Sequence, residues 1–121
     1  MKVFVYWNLH KKMWSVKALE GPDKGRVIDR VNEITLANVE GKVSEAGRQR
    51  VLREDRKNVH AGIVGYTTIT ASFERDMIVG FGDLITYNPR KYTSFVHVID
   101  ESPFEGAAWA VFKADRQVFV A

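Results

Sequence analysis

The sequence predicts an α+β fold: small antiparallel sheets with one main basic helix. Three observations carry that expectation. Short apolar segments separated by turn signals fill the first 39 residues. From Ser44 to His60 they give way to a stretch with no proline and a single glycine, Gly47, which is rich in helix formers. Apolar segments then return in the last third of the chain. At 121 residues the chain is about one domain long, so 1–121 is read as a single domain.

Residues 2–7 place Val3, Val5 and Trp7 on one face and Phe4 and Tyr6 on the other, the pattern of a strand covered on both sides. Asn8 to Lys12 is polar and turn-like. Met13 to Leu19 resumes with Trp14, Val16 and Ala18 on one face, which predicts a hairpin. Gly21-Pro22-Asp23-Lys24-Gly25 is the strongest turn signal in the chain. Arg26-Val27-Ile28 and Glu33 to Val39 are expected to complete a small antiparallel sheet, and Glu40-Gly41-Lys42 to break it.

Ser44 is a good N-cap with Glu45 in the first turn, and 45–60 is read as the helix. Its apolar content is thin (Ala46, Val51, Leu52, Val59), so it is not a core helix. The glycine- and threonine-rich stretch 62–83 gives no clear element. Leu84 to Asn88 reads as a strand ending at Asn88-Pro89, because a residue before proline favours extended geometry. Phe95 to Ile99 reads as another strand. Ala107 to Lys113 and Val118 to Ala121 make a second hairpin around Ala114-Asp115-Arg116-Gln117.

The bulk numbers exclude several classes. With no cysteine there is no disulfide framework, Cys-based zinc site or cysteine nucleophile, which suits a reducing compartment. The apolar run at the N-terminus stops at His10-Lys11-Lys12, shorter than a secretory signal requires, and no stretch approaches a membrane span. A cytoplasmic protein without membrane contact is expected. The net charge of +3 and pI near 9.3 suit an anionic partner without requiring one.

Two constellations could hold such a partner. Arg50, Arg53 and Lys57 share one helix face, and Arg53, Arg56 and His60 an overlapping one. Guanidinium forks match phosphate oxygens, although Glu45, Glu54 and Asp55 would equally brace a solvated helix surface. Thr86-Tyr87-Asn88-Pro89-Arg90-Lys91-Tyr92 sets aromatics, an amide and two cations at a strand end. Tyrosine stacks on bases and asparagine satisfies a base edge or ribose hydroxyl, while the bland alternative is an Asn-Pro turn. The N-terminal aromatics are explained by core alternation, with Trp7 and Trp14 also able to line a pocket.

Enzymatic templates are missing. His10, His60 and His97 lack metal-ligand spacing, and no Gly-x-Ser-x-Gly elbow or Walker loop occurs. Gly80-Phe81-Gly82 is too short for a dinucleotide fingerprint. The expectation is a protein with no catalytic residue, metal or cofactor; a hydrolase built on His60 with Glu54 or Asp55 stays open.

Two segments resemble a known family. They are Tyr6-Trp7-Asn8-Leu9-His10-Lys11-Lys12, followed by Ser15-Val16-Lys17-Ala18-Leu19-Glu20-Gly21, and Ser44-Glu45-Ala46-Gly47-Arg48-Gln49-Arg50-Val51-Leu52-Arg53-Glu54, continued by Arg56-Lys57-Asn58-Val59-His60-Ala61. Both are similar to the first Thoeris anti-defence family of small bacteriophage proteins, and Tyr87-Asn88-Pro89 continues the likeness. Such proteins act as sponges that bind cyclic ADP-ribose isomers without cleaving them, inside the infected bacterial cell. Some members form larger oligomers that hold cyclic oligonucleotides at separate sites.

The resemblance implies a homodimer or higher homo-oligomer with the ligand between protomers. It implies that Arg53 and Arg56 meet the pyrophosphate and that Tyr87 and Asn88 meet the base or ribose, with Arg116 as the C-terminal basic residue. Residues 66–83, and the chain beyond Tyr92, depart from the pattern, which leaves the place of Arg116 in doubt. A sponge of cyclic ADP-ribose isomers or other cyclic nucleotides is therefore the leading reading. Rival readings are a small nucleic-acid-binding module, held to be the less favoured partner class, and a nucleotide-degrading enzyme.

Overall fold

The computed structural model describes residues 1–8, 11–43, 49, 53, 61–68, 72–87 and 95–121. Nine strands are assigned: β1 (Lys2–Asn8), β2 (Met13–Ala18), β3 (Val27–Val31), β4 (Ile34–Val43), β5 (Ala61–Thr67), β6 (Asp83–Tyr87), β7 (Phe95–His97), β8 (Ala107–Phe112) and β9 (Val118–Val120). They form one antiparallel sheet in the order β3-β2-β1-β5-β4-β8-β9-β6-β7. A helix, α1 (Ser72–Phe81), precedes β6.

Both expected hairpins form: Val5 pairs with Val16, and Val111 with Phe119. The rest of the sheet corrects the sequence reading. The small separate sheets are a single sheet, because β5 and β4 join the two hairpins. β3 and β4 are adjacent in sequence yet do not pair. β3 stays at the edge beside β2, whereas β4 crosses to the centre between β5 and β8. Glu40-Gly41-Lys42 does not break the chain's extended course. Gly41 lies opposite Ile63, with the Phe104 and Phe95 rings 3.6 Å and 3.9 Å from where a Cβ would stand, ordinary contact distances.

One face of this sheet is the core. Val3, Val5, Leu36, Ile63, Ile85, Phe112 and Val118 are each at most 1% exposed. A β-bulge between Ala37 and Glu40, with Asn38 at φ 49°, keeps β4 in phase with that core. Leu36 and Val39 are both buried three residues apart, which plain two-residue alternation forbids. Asparagine tolerates the left-handed backbone that the bulge needs.

The sheet is also rolled. Trp14 on β2 and Phe112 on β8 pack edge to face with ring centroids 4.9 Å apart, although their strands are four places apart in the sheet. In a flat sheet such strands would be separated by about 19 Å. Curling folds the inner face onto itself, so one sheet encloses its own core.

The opposite face is only partly covered. Phe4 and Tyr6 are half-buried there, while Ser15 and Val64 are buried, so β1 is covered fully on the core side and only in part on this one, less than its apolar pattern predicts. Helix α1 lies against β8 and β9. Its partly buried residues Arg75, Ile78 and Val79 recur at helical spacing. The glycine content of 62–83 hides both β5 and this helix in the sequence. At its end, the Gly82 N–H donates to the Ile78 carbonyl at 2.7 Å, and a Cβ on Gly82 would stand 2.6 Å from the Val120 carbonyl oxygen. Only glycine lets the helix turn into β6 so close to β9.

The helix described from end to end is therefore α1, which carries Glu74 and Asp76 beside Arg75 and is not the basic helix of the sequence reading. Of 45–60, Gln49 and Arg53 are described; both are helical and exposed. Among the described residues, no helix is long and apolar enough to cross a membrane.

Candidate functional site

The residues expected to bind a ligand fall partly within the described structure. Arg53 is exposed on a helical backbone, as is Gln49. Arg56 and Asn88 lie outside the described residues, as do Arg48, Arg50, Lys57 and His60. Tyr87 is the last residue of β6, opposite Phe95 on β7. Arg116 is exposed and closes a 3-10 turn, Ala114–Arg116, that joins β8 to β9, with φ 65°.

Sheet topology puts two of these at the same end of one strand pair. β6 and β9 run antiparallel with Asp83 opposite Val120 and Ile85 opposite Val118. Tyr87 ends β6 two residues beyond that last pair, and Arg116 lies in the turn that enters β9 at Val118.

The same end receives the Trp14 side chain. Its indole N–H donates to the Lys113 carbonyl at 2.8 Å, and the Lys113 ammonium pairs with Glu33 at 2.7 Å. The Lys113 N–H in turn donates to Gln117 at 2.8 Å, closing the turn that presents Arg116. Trp7 packs edge-on against Trp14 with centroids 5.1 Å apart. Trp14 is 3% exposed, so it is a core residue that anchors the turn and does not line a pocket. Val43 and Ala61, which flank 44–60 in the sequence, pair directly.

A second feature escaped the sequence reading. A shallow concavity of about 310 Å³ opens on the outer face of β1, β2 and β3, lined by Phe4, Tyr6, Lys17, Gly25 and Val27. The Phe4 and Tyr6 rings form its floor, tilted with centroids 5.8 Å apart. Strand alternation already sets Phe4 and Tyr6 on one face. The Gly25 wall arrives only through the turn between β2 and β3, where the Gly25 N–H donates to the Ala18 carbonyl at 2.8 Å.

His97 makes no acid–base pair of hydrogen-bond length. Its Nδ1 stands 4.0 Å from an Asp83 carboxylate oxygen, and its ring packs edge-on to Phe104 at 6.1 Å. Nearby, hydrogen bonds from the Ser102 hydroxyl and then the Ser102 N–H hold the Asp100 carboxyl below the usual carboxylate range. Among the described residues, no three His, Asp or Glu side chains converge as metal ligands would.

Comparison with known proteins places the chain in a phage family. All of residues 1–121 match the family described as the Mycobacterium phage L5 gene 82 protein. The chain is similar to the gene 82 protein of Mycobacterium phage L5, with 47% identity over 113 residues that cover 88% of this chain and 86% of that one. No solved structure matches. The chain belongs to this phage protein family.

Proposed function

We propose that this phage protein captures a cyclic ADP-ribose isomer, or a related cyclic nucleotide, and withholds it intact from a TIR-dependent host defence. The observation that carries the reading is the shared end of the β6–β9 pair, where Tyr87 closes β6 and the turn holding Arg116 enters β9. It sets an aromatic residue and a cation, the two residue types a nucleotide needs, at one end of the sheet. Arg53, exposed on its helical backbone, is the further cation for the pyrophosphate. Charge-assisted hydrogen bonds from guanidinium groups hold a pyrophosphate, and an aromatic ring stacks on the adenine.

Membership of a phage family fits a role in the infected bacterial cell, and the likeness of 44–61 to the first Thoeris anti-defence family names the ligand class. Two protomers enclosing the ligand would supply arginines from both sides, and the anion would relieve the repulsion within the basic stretch. A sponge needs neither a general base nor a metal.

The test is incubation of the purified protein with a cyclic ADP-ribose isomer, followed by filtration, heat denaturation and mass spectrometry of both fractions. Depletion of the filtrate with intact ligand released on heating is the expected result. A changed mass identifies an enzyme, and an undepleted filtrate removes this ligand class.

A further inference from the structure

The outer face of β1, β2 and β3 lies outside the proposed capture site and has a chemistry of its own. Sheet register arranges its residues in rows. Phe4 lies opposite Lys17, which lies opposite Val27. Tyr6 lies opposite Ser15, which lies opposite Arg30. Lys2 lies opposite Tyr66 on β5. Aromatic rings and cations thus interleave across neighbouring strands on one side of the sheet.

The face is open where it matters. Tyr66 is 43% exposed and Val27 37%, and the Phe4, Tyr6 and Lys17 side chains are half-buried around the 310 Å³ concavity. Gly25 forms one wall without a side chain, with nothing within 4 Å of where its Cβ would be. Exposed Lys24 and Arg26 flank it.

We infer that this face binds single-stranded nucleic acid, one unstacked base resting on the Phe4 and Tyr6 rings while Lys17 and Arg30 meet the backbone phosphates. The inference goes beyond the capture of a cyclic nucleotide and uses none of its residues. Aromatic platforms interleaved with cations bind single strands because every base has a π-face and every linkage a negative charge. A duplex keeps its bases stacked and cannot offer one to the concavity. A mononucleotide would use the floor but not the row of cations that runs from Lys2 to Arg30.

The experiment is fluorescence anisotropy with a labelled oligothymidylate about twelve nucleotides long, at about 50 mM and about 200 mM salt. Unlabelled duplex and adenosine monophosphate serve as competitors. The expected result is binding that weakens with salt and resists both competitors. Tyr6→Leu, which keeps apolar bulk against Phe4, and Lys17→Glu, which reverses the charge beside the concavity, should each weaken it by about tenfold or more. Circular dichroism verifies that both variants are folded, and both should still capture a cyclic ADP-ribose isomer as the parent protein does.

Absence of binding at the lower salt, or equal binding by both folded variants, overturns the proposal. Equal competition by duplex or by the mononucleotide also overturns it. Loss of cyclic ADP-ribose capture in the same variants would make the two sites one and overturn it as well. If the parent protein captures no cyclic ADP-ribose isomer yet binds the oligomer as described, only the earlier reading falls.

Discussion

The Trp14 indole N–H donates to the Lys113 carbonyl at 2.8 Å across the rolled sheet, tying β2 to the turn that carries Arg116. The bond is non-local, joining residues 99 positions apart. It can form only because the sheet curls until Trp14 meets Phe112. The indole thereby serves two purposes, filling the core with its rings and fixing a loop with its one donor.

Trp14→Phe tests that double role. The variant keeps an aromatic ring but leaves the Lys113 carbonyl without its indole partner, at a cost of roughly 1–3 kcal/mol. Urea denaturation should show a lowered midpoint with an unchanged slope. An unchanged midpoint would mean that the hydrogen bond adds nothing to stability.

Gly62 is the tightest strand contact. A Cβ there would stand 2.6 Å from the Val5 carbonyl oxygen and against the Phe4 ring. The backbone oxygen cannot move aside without disturbing the pairing of β1 with β5. Gly62→Ala is therefore expected to destabilise by about 1–3 kcal/mol, although alanine is ordinarily the less costly residue in an extended strand. Thermal denaturation reads it directly.

β3 is an edge strand that carries its own guard. The Asp29 carboxylate accepts the Arg30 N–H at 2.8 Å, occupying a donor of the edge strand with a local partner. Val27, Ile28, Asp29 and Arg30 are all exposed. Asp29→Val removes the acceptor and the charge together and lengthens an apolar edge. Concentration-dependent self-association, followed by light scattering, should increase over the parent protein.

Asp100 gives a pH prediction with a definite sign. Its carboxyl is held below the ordinary value of 3.8 by the Ser102 hydroxyl and N–H. The folded value being depressed, the stabilisation is fully present above the unfolded value and is lost as pH falls through the folded one. Ser102→Ala removes the hydroxyl donor, the larger cause. NMR titration should then place the Asp100 carboxyl higher than in the parent protein, while leaving the backbone contribution of residue 102.

For the capture site, Arg53→Ala and Asn88→Ala are each expected to weaken binding of a cyclic ADP-ribose isomer by at least about tenfold. A charge-assisted hydrogen bond to a buried anion is worth roughly 1.5–3 kcal/mol. Arg116→Ala should act in the same direction. Calorimetry on the folded variants provides the measurement, and parent-like affinity in Arg53→Ala and Asn88→Ala together would remove the assignment.

Local signals were enough to find the two hairpins, the strands ending near Tyr87 and starting at Phe95, and the core character of Val3, Val5 and Trp14. Each is written in a run of neighbouring residues: alternation two apart, a glycine-proline turn, an asparagine before proline. Gly80, and the threonines that precede the helix, hid α1, because the low helix propensity of Gly80 is overridden by packing on β8 and β9.

The sequence by itself determined most of the strand segments, though not β5, and the residue types available to meet an anion. Only the tertiary structure decided that β4 leaves β3 to pair with β5 and β8, that Asn38 bulges, and that the sheet rolls. It alone put Tyr87 and the turn holding Arg116 at one end of the β6–β9 pair and set Gly25 beside Phe4 and Tyr6. The physical reason is that pairing partners and curvature are chosen by burying one continuous apolar face, a property of all nine strands together that no local run of residues encodes.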